Sequence, residues 1–360
     1  MATNDHRHAV ILAGGRGVRF WPHSRAAHPK QMLSPLGGAS LLRRTYERLR
    51  AAFPEGHLWV VTGVSLREAV ERELPELSPA RIIAEPVQRN TAPAIGLATA
   101  LVLREDPEAV MGVFPADHHI ENAEAYRELV SAALGATDTD RLIVLGIQPT
   151  RPETGYGYIE FPPGTRPGSP GPVRVTRFCE KPDLGTANRF LASGRYFWNS
   201  GQFFWRASVL GEEMRRHLPR TWSTLSEIAG GATASVARLL GERYGECESV
   251  SVDRAILERS DRVAGFAAGN IGWTDLGTWE ALRDLLPRDT EDNCDRTGGT
   301  FVRARNNYVD VPGRHVVLLG ASDLIVVEAP DALLICRRSE CQNLSDLEQA
   351  LRKSGRGDLL

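Results

Sequence analysis

Residues 10–33 read VILAGGRGVRFWPHSRAAHPKQML. An apolar run enters Ala13, Gly14, Gly15, Arg16 and Gly17, with Arg19 just beyond and Lys30 further along the same stretch. Glycines this dense leave backbone N–H groups bare. Guanidinium groups beside them supply charge in a geometry that phosphate oxygens accept. The chemistry open to such a loop is to hold a polyphosphate. Two common phosphate loops are excluded by the same residues. No Lys-Ser/Thr pair completes a G-x-x-x-x-G-K-S/T pattern, and Phe20 stands where G-x-G-x-x-G needs its third glycine. On the glycines alone, a tight strand-to-helix turn is an equal reading.

The loop continues through Trp21-Pro22-His23-Ser24 to Pro29-Lys30-Gln31, so the whole reads L-A-G-G-x-G-x-R-F-W-P-x-S-x-x-x-x-P-K-Q. This resembles the signature of the sugar-nucleotide pyrophosphorylases, and the Trp-Pro and Pro-Lys-Gln details look like those of the mannose-1-phosphate guanylyltransferases. The resemblance implies that Arg16, Arg19 and the N–H groups around Ala13, Gly14, Gly15 and Gly17 hold the departing phosphates. It also implies that Lys30 stabilises charge near the α-phosphate.

Further motifs follow in the family's order. The segment EPVQRNTAPAI at 85–95 resembles the stretch that faces the base, implying nucleotide contacts from Glu85, Arg89, Asn90 and Thr91. A carboxylate at 85 suits guanine, whose N1–H and N2–H2 are adjacent donors, while Asn90 or Thr91 can cap the helix that follows. Asp117 lies just past the strand-like VFPAD. Asp275, in GWTDLGTW, matches the family's W-x-D-x-G-x-W. The resemblance makes these two the holders of Mg2+, an ion that typically takes one or two protein carboxylates plus substrate phosphates. An aspartate in isolation there would be a turn former, and the tryptophans of that segment read as core. FCEKP implies Glu180 on sugar hydroxyls and Lys181 on the sugar phosphate. WNSG implies Asn199 on the hexose, and TGYG a close approach of the Gly155 backbone, with Tyr156 under the sugar or in the core. The implied reaction is in-line attack of mannose 1-phosphate on the α-phosphorus of GTP. It needs no Ser-His-Asp or Cys-His nucleophile. Transfer from UTP, dTTP or ATP, or a non-catalytic GDP-mannose-binding relative, are the alternatives.

Positioning these residues requires a scaffold, and its pattern is readable. Apolar runs near 10, 60, 113 and 144 alternate with helical spacing at 40–52, 65–74, 91–105 and 123–134. This predicts an α/β, Rossmann-like, mostly parallel sheet covered on both faces, with ligands beyond the carboxyl ends of its strands. TGYGYIEF and VRVTRFCEKP predict a hairpin around a Gly/Pro-rich loop. From Cys294 onward, short β-rich runs predict a small β-helix-like appendage with a terminal helix. DLIVV and DALLIC in it are loosely similar, in keeping with a small coiled β appendage. The expected division is a nucleotidyltransferase domain over 1–290 and the appendage over 291–360.

Composition bounds the partners. Across 360 residues, 43 Lys and Arg meet 45 Asp and Glu, a net charge of −2 that gives no general attraction to nucleic acid or anionic membrane. Five cysteines without a CxxC pair suggest neither a zinc site nor a disulfide framework. The opening MATNDHRHA has no apolar signal core, and the apolar stretch 92–103 is too short for a bilayer. The expectation is a cytoplasmic enzyme using GTP and mannose 1-phosphate, with no nucleic-acid or membrane partner, dimerising through the appendage.

Overall fold

The computed structural model describes residues 4–15 and 17–360. The predicted apolar runs become strands of one ten-stranded sheet. Its main path runs Ile82–Glu85, Leu58–Gly63, Arg7–Leu12, Val110–Pro115, Tyr196–Arg206, Leu142–Ile147, Val263–Ala267, Val173–Arg174. Arg7–Leu12 pairs in parallel with both Leu58–Gly63 and Val110–Pro115, and Leu142–Ile147 pairs in parallel with Val263–Ala267. Tyr196–Arg206 runs antiparallel between these two blocks, which makes the sheet mixed. The predicted hairpin is present: Gly157–Glu160 lies antiparallel to Arg177–Glu180.

The helix Thr91–Glu105 shows how composition sets packing. Its residues 92–102 are all buried, and its small side chains let neighbours come close. A Cβ on Gly96 would lie 2.7 Å from Met214 Cε and 2.8 Å from Leu225 Cδ1. The apolar stretch noted in the sequence is therefore a core helix. Among the described residues no helix is long and apolar enough to cross a membrane.

The chain divides into two compact units: Met1–Gly14, Thr45–Ala116 and Ile120–Trp273 in the first, and Gly15–Arg44, Asp117–His119 and Thr274–Leu360 in the second. The first holds the large sheet. Straight after the strands Arg7–Leu12 and Val110–Pro115, whose ends are joined by the Ala116 N–H to Leu12 carbonyl bond of 3.0 Å, the chain passes into the second unit.

In the second unit, Cys294–Asp295, Tyr308–Asp310 and Leu324–Ala329 stack in parallel, as do Thr300–Val302 and Val317–Leu319. These are coils of a β-helix-like appendage. Buried asparagines pin one corner: Asn307 Nδ2 donates to Asn293 Oδ1 at 2.9 Å, and Asn307 Oδ1 accepts from the Leu324 N–H at 3.0 Å. Ala332–Arg337 turns back antiparallel on Leu324–Ala329, so DLIVV and DALLIC form a hairpin alongside the parallel coils. Their similarity reflects two strands sharing one core face.

Phe20, Trp21 and Leu33 share a core with Leu276, Trp279, Tyr308 and Ile325. Trp279 is its centre: 1% exposed, it donates from Nε1 to the Trp21 carbonyl at 3.0 Å and packs on Phe20 and Tyr308. Replacing it with Ala removes a large buried ring and leaves that carbonyl unpaired. Trp279→Ala is expected to lower unfolding free energy by roughly 3–5 kcal/mol, read by denaturant titration, with Trp279→Phe losing distinctly less.

Candidate active site

The second unit supplies a cationic centre. Gly17 has φ of +62°, a conformation that favours glycine. A Cβ on it would collide with the Lys30 Cβ, so the loop folds back directly onto Lys30. Ser24 Oγ secures the turn by donating to the Gly17 carbonyl at 2.7 Å. Lys30 is buried, and its Nζ donates to Asp117 Oδ2 at 2.7 Å and to the Asp275 carbonyl at 2.5 Å. Asp275 Oδ1 in turn accepts the Gly277 N–H at 2.9 Å. Burial pushes the Asp117 carboxyl up. The charges of Lys30 and His118, with the Lys30 hydrogen bond, outweigh that and hold it below the usual aspartate value.

Three of the predicted residues are thus joined through one ammonium. Arg19 donates to Gln342 Oε1 at 3.1 Å, Gly15 is exposed, and Arg16 lies outside the described residues. Asp117 and Asp275 each carry a carboxylate, the hard-oxygen donor that divalent cations such as Mg2+ prefer. Among the described residues no three His, Cys, Asp or Glu are grouped to hold a metal unaided. An ion bound here fits a site completed by phosphate oxygens and water.

Two clusters lie in the first unit. At the end of Ile82–Glu85, the Glu85 side chain is buried and accepts from the Tyr244 hydroxyl at 2.5 Å through Oε1. Its Oε2 faces Gly14, where an added Cβ would sit 3.8 Å away. Gln88 Nε2 donates to the Gly14 carbonyl at 2.5 Å. Burial pushes the Glu85 carboxyl up to about 7, against the lowering effect of the Tyr244 hydrogen bond. Other predicted nucleotide residues serve the framework as well. Ala13 pairs with Val61 and Thr62, Asn90 Oδ1 caps the helix at Thr91, and Thr91 Oγ1 accepts from the Val252 N–H at 2.9 Å. Arg89 Nη2 donates to the Gly245 carbonyl at 2.5 Å.

The other cluster gathers Glu180, Lys181 and Asn199. Lys181 Nζ is 3.3 Å from Glu180 Oε1. Its backbone, at φ +50°, is in the left-handed region that costs about 1–3 kcal/mol outside glycine. Asn199 Nδ2 donates to Asp253 Oδ1 at 2.9 Å. Asp253, on a single π-helical turn Asp253–Leu257, is pushed up to about 7 by burial and then by the nearby Glu180 charge. The glycine that makes room is Gly157, where a Cβ would lie 2.5 Å from Glu180 Oε2. The Gly155 N–H bonds to Glu153 Oε1 at 3.0 Å, and Tyr156 packs edge-on against Trp198 and Trp273. Sequence reasoning missed Tyr244, Gly157 and Asp253. Of these only Gly157, within the TGYG motif, carried a signal.

Over residues 8–292 the chain matches the nucleotidyl transferase family, and it belongs to that family. The xanthan biosynthesis protein XanB of Xanthomonas campestris pv. campestris (strain B100) is 36% identical over 355 residues, covering 97% of this chain and 74% of the relative. The mannose-1-phosphate guanylyltransferase ManC of Salmonella typhimurium is 35% identical over 355 residues, covering 96% and 73%. Among solved structures, a Thermus thermophilus protein described as a mannose-1-phosphate geranyltransferase superimposes with a TM-score of 0.85 at 33% identity, covering 96% of this chain and 99% of that one.

Because Gly17 and Lys30 are in contact, Gly17→Ala should displace the ammonium without touching its charge. Gly17→Ala and Lys30→Met are both expected to cut the turnover of nucleotidyl transfer, the latter by roughly 10²–10³-fold, in a pyrophosphate-release assay. Circular dichroism checks that the fold is retained.

Proposed function

We propose that this chain transfers a guanylyl group from GTP to α-D-mannose 1-phosphate, forming GDP-mannose and pyrophosphate. The observation that carries this reading is the Lys30 ammonium joining Asp117 and Asp275 in a chain of the nucleotidyl transferase family. Relatives named mannose-1-phosphate guanylyltransferase support the choice of base and sugar. The sugar-phosphate oxygen is the nucleophile, so catalysis consists of positioning and charge neutralisation. Lys30 stabilises charge at the α-phosphate. Arg16, Arg19 and the backbone of Gly14, Gly15 and Gly17 hold the phosphates that leave. Lys181 orients the attacking phosphate, and Glu180, Asn199, Gly155 and Tyr156 receive the hexose. Glu85 accepts from the guanine ring, with Arg89, Asn90 and Thr91 shaping that segment. Asp117 and Asp275 hold Mg2+, which when bound supplies further charge neutralisation on the phosphates.

In this reading 1–290 is the catalytic domain and 291–360 the appendage, through which two copies pair. Support for pairing comes from Val302, Val317 and Leu319, which are exposed on Thr300–Val302 and Val317–Leu319, with Val302 opposite Leu319 in register. The free thiols of all five cysteines suit a reducing cytoplasm. Light scattering should read a dimer that Leu319→Arg converts to monomer.

The deciding experiment incubates the purified chain and Mg2+ with each of GTP, ATP, UTP and dTTP and either mannose or glucose 1-phosphate. GDP-mannose is the expected product by mass. Preference for another pairing would move the assignment within the family, and no product in any pairing would favour a non-catalytic GDP-mannose-binding role.

A further inference from the structure

The geometry points to Tyr244 as a positioning residue for base selection, one that holds Glu85 in the orientation and charge state needed to accept guanine N–H groups. This rests on the guanylyl-transfer reading above. Tyr244 is 159 positions away from Glu85 in the chain, yet its hydroxyl donates to Glu85 Oε1 from a fully buried ring. The bond leaves Oε2 directed at Gly14. Gly14 is the point where the phosphate loop leaves the large sheet, and its carbonyl is itself held by Gln88. A second tie fixes the same crossing: Arg89 donates to the carbonyl of Gly245, next to Tyr244. The short segment Tyr244–Glu246 is thereby fastened at two neighbouring residues to the stretch 85–89.

Without its donor the buried Glu85 carboxylate would take up a proton at still higher pH, and a protonated carboxyl cannot accept from both N1–H and N2–H2 of guanine. Tyr244 opposes that protonation. Burial and the facing Glu85 charge keep the Tyr244 phenol far above the usual tyrosine range, so it stays a donor throughout the working pH range. The other titratable groups near the pair, Cys247 and Arg89, act on the Tyr244 side, and Gly14 and Gln88 carry no titratable side chain. Glu85 lies at about 7 with the Tyr244 bond in place. Its charged form, and with it guanine acceptance, is therefore present above that pH and lost as pH falls through it.

The test is Tyr244→Phe, which removes the donor and keeps the ring. At pH 7, kcat/KM for GTP should fall about tenfold, through KM and not kcat. The acidic limb of its pH profile should move to higher pH. The GTP-over-ATP preference should narrow, because a protonated Glu85 can donate to adenine N1. If the variant fails to fold, 3-fluorotyrosine at position 244 serves instead. Its more acidic phenol is a stronger donor and should move the limb to lower pH. An unchanged limb and an unchanged GTP:ATP ratio in the folded variant, or an unmoved limb with fluorotyrosine, overturn the proposal. A wild-type protein that does not favour GTP at all defeats the guanylyl reading instead, before Tyr244 is brought to the test.

Discussion

A lysine ammonium withdrawn from water is stable only where negative charge accompanies it, because desolvating an unpaired cation costs several kcal/mol. Lys30 meets that condition through Asp117 and the Asp275 carbonyl, two partners from distant parts of the chain. The requirement organises the second unit. Gly17 must be glycine for the loop to lie against Lys30, and Phe20 offers its ring 5.8 Å from Nζ. Asp275 is carried by a segment that ends in the buried Trp279, whose indole is bonded to the carbonyl of Trp21. The apolar core of this unit and the buried Lys30 ammonium are therefore parts of a single arrangement: loosening the tryptophan contacts would loosen the loop that carries Lys30 and the segment that carries Asp275. A cation so placed is preorganised, with its reorganisation cost met during folding and not during reaction.

Much of this was legible in the linear chain, and the failures have a common cause. Strands near 10, 60, 113 and 144 were readable because buried parallel strands leave continuous apolar runs, and the helix Thr91–Glu105 because its cap and small residues are local. Lys30, Asp117 and Asp275 each sit in a short motif. Tyr244 and Asp253 do not: each acts through a partner brought close only by the fold, Glu85 in one case and Asn199 in the other. Nor could periodicity reveal that Gly15–Arg44 joins Thr274–Leu360 in one unit, since that grouping is made by contacts between segments far apart in sequence. Gly155 and Gly157 show the same limit at close range. Both lie in TGYG, but only packing tells which one a side chain would obstruct.

Asp117 on one side and Glu85 and Asp253 on the other are treated in opposite ways, and the contrast follows from what surrounds each. Asp117 is beside a fixed cation, so its charge is secured well below neutrality whatever the ligand. Glu85 and Asp253 have neutral donors, a phenol and an amide, and burial lifts both to about 7, with the nearby Glu180 charge adding to the rise at Asp253. A neutral donor orients a carboxylate without compensating its charge. Groups held this way respond to whatever ligand arrives, since each N–H or O–H that reaches them favours the ionised form. A carboxylate meant to hold a metal needs to be charged beforehand. One meant to discriminate among uncharged hydrogen-bonding groups gains from being poised, because the correct donor pattern then also stabilises the charge it binds to. The pairing of Glu85 with Tyr244 in place of an arginine or lysine leaves that carboxylate uncompensated: a permanent cation at that position would satisfy it before any ligand reached it.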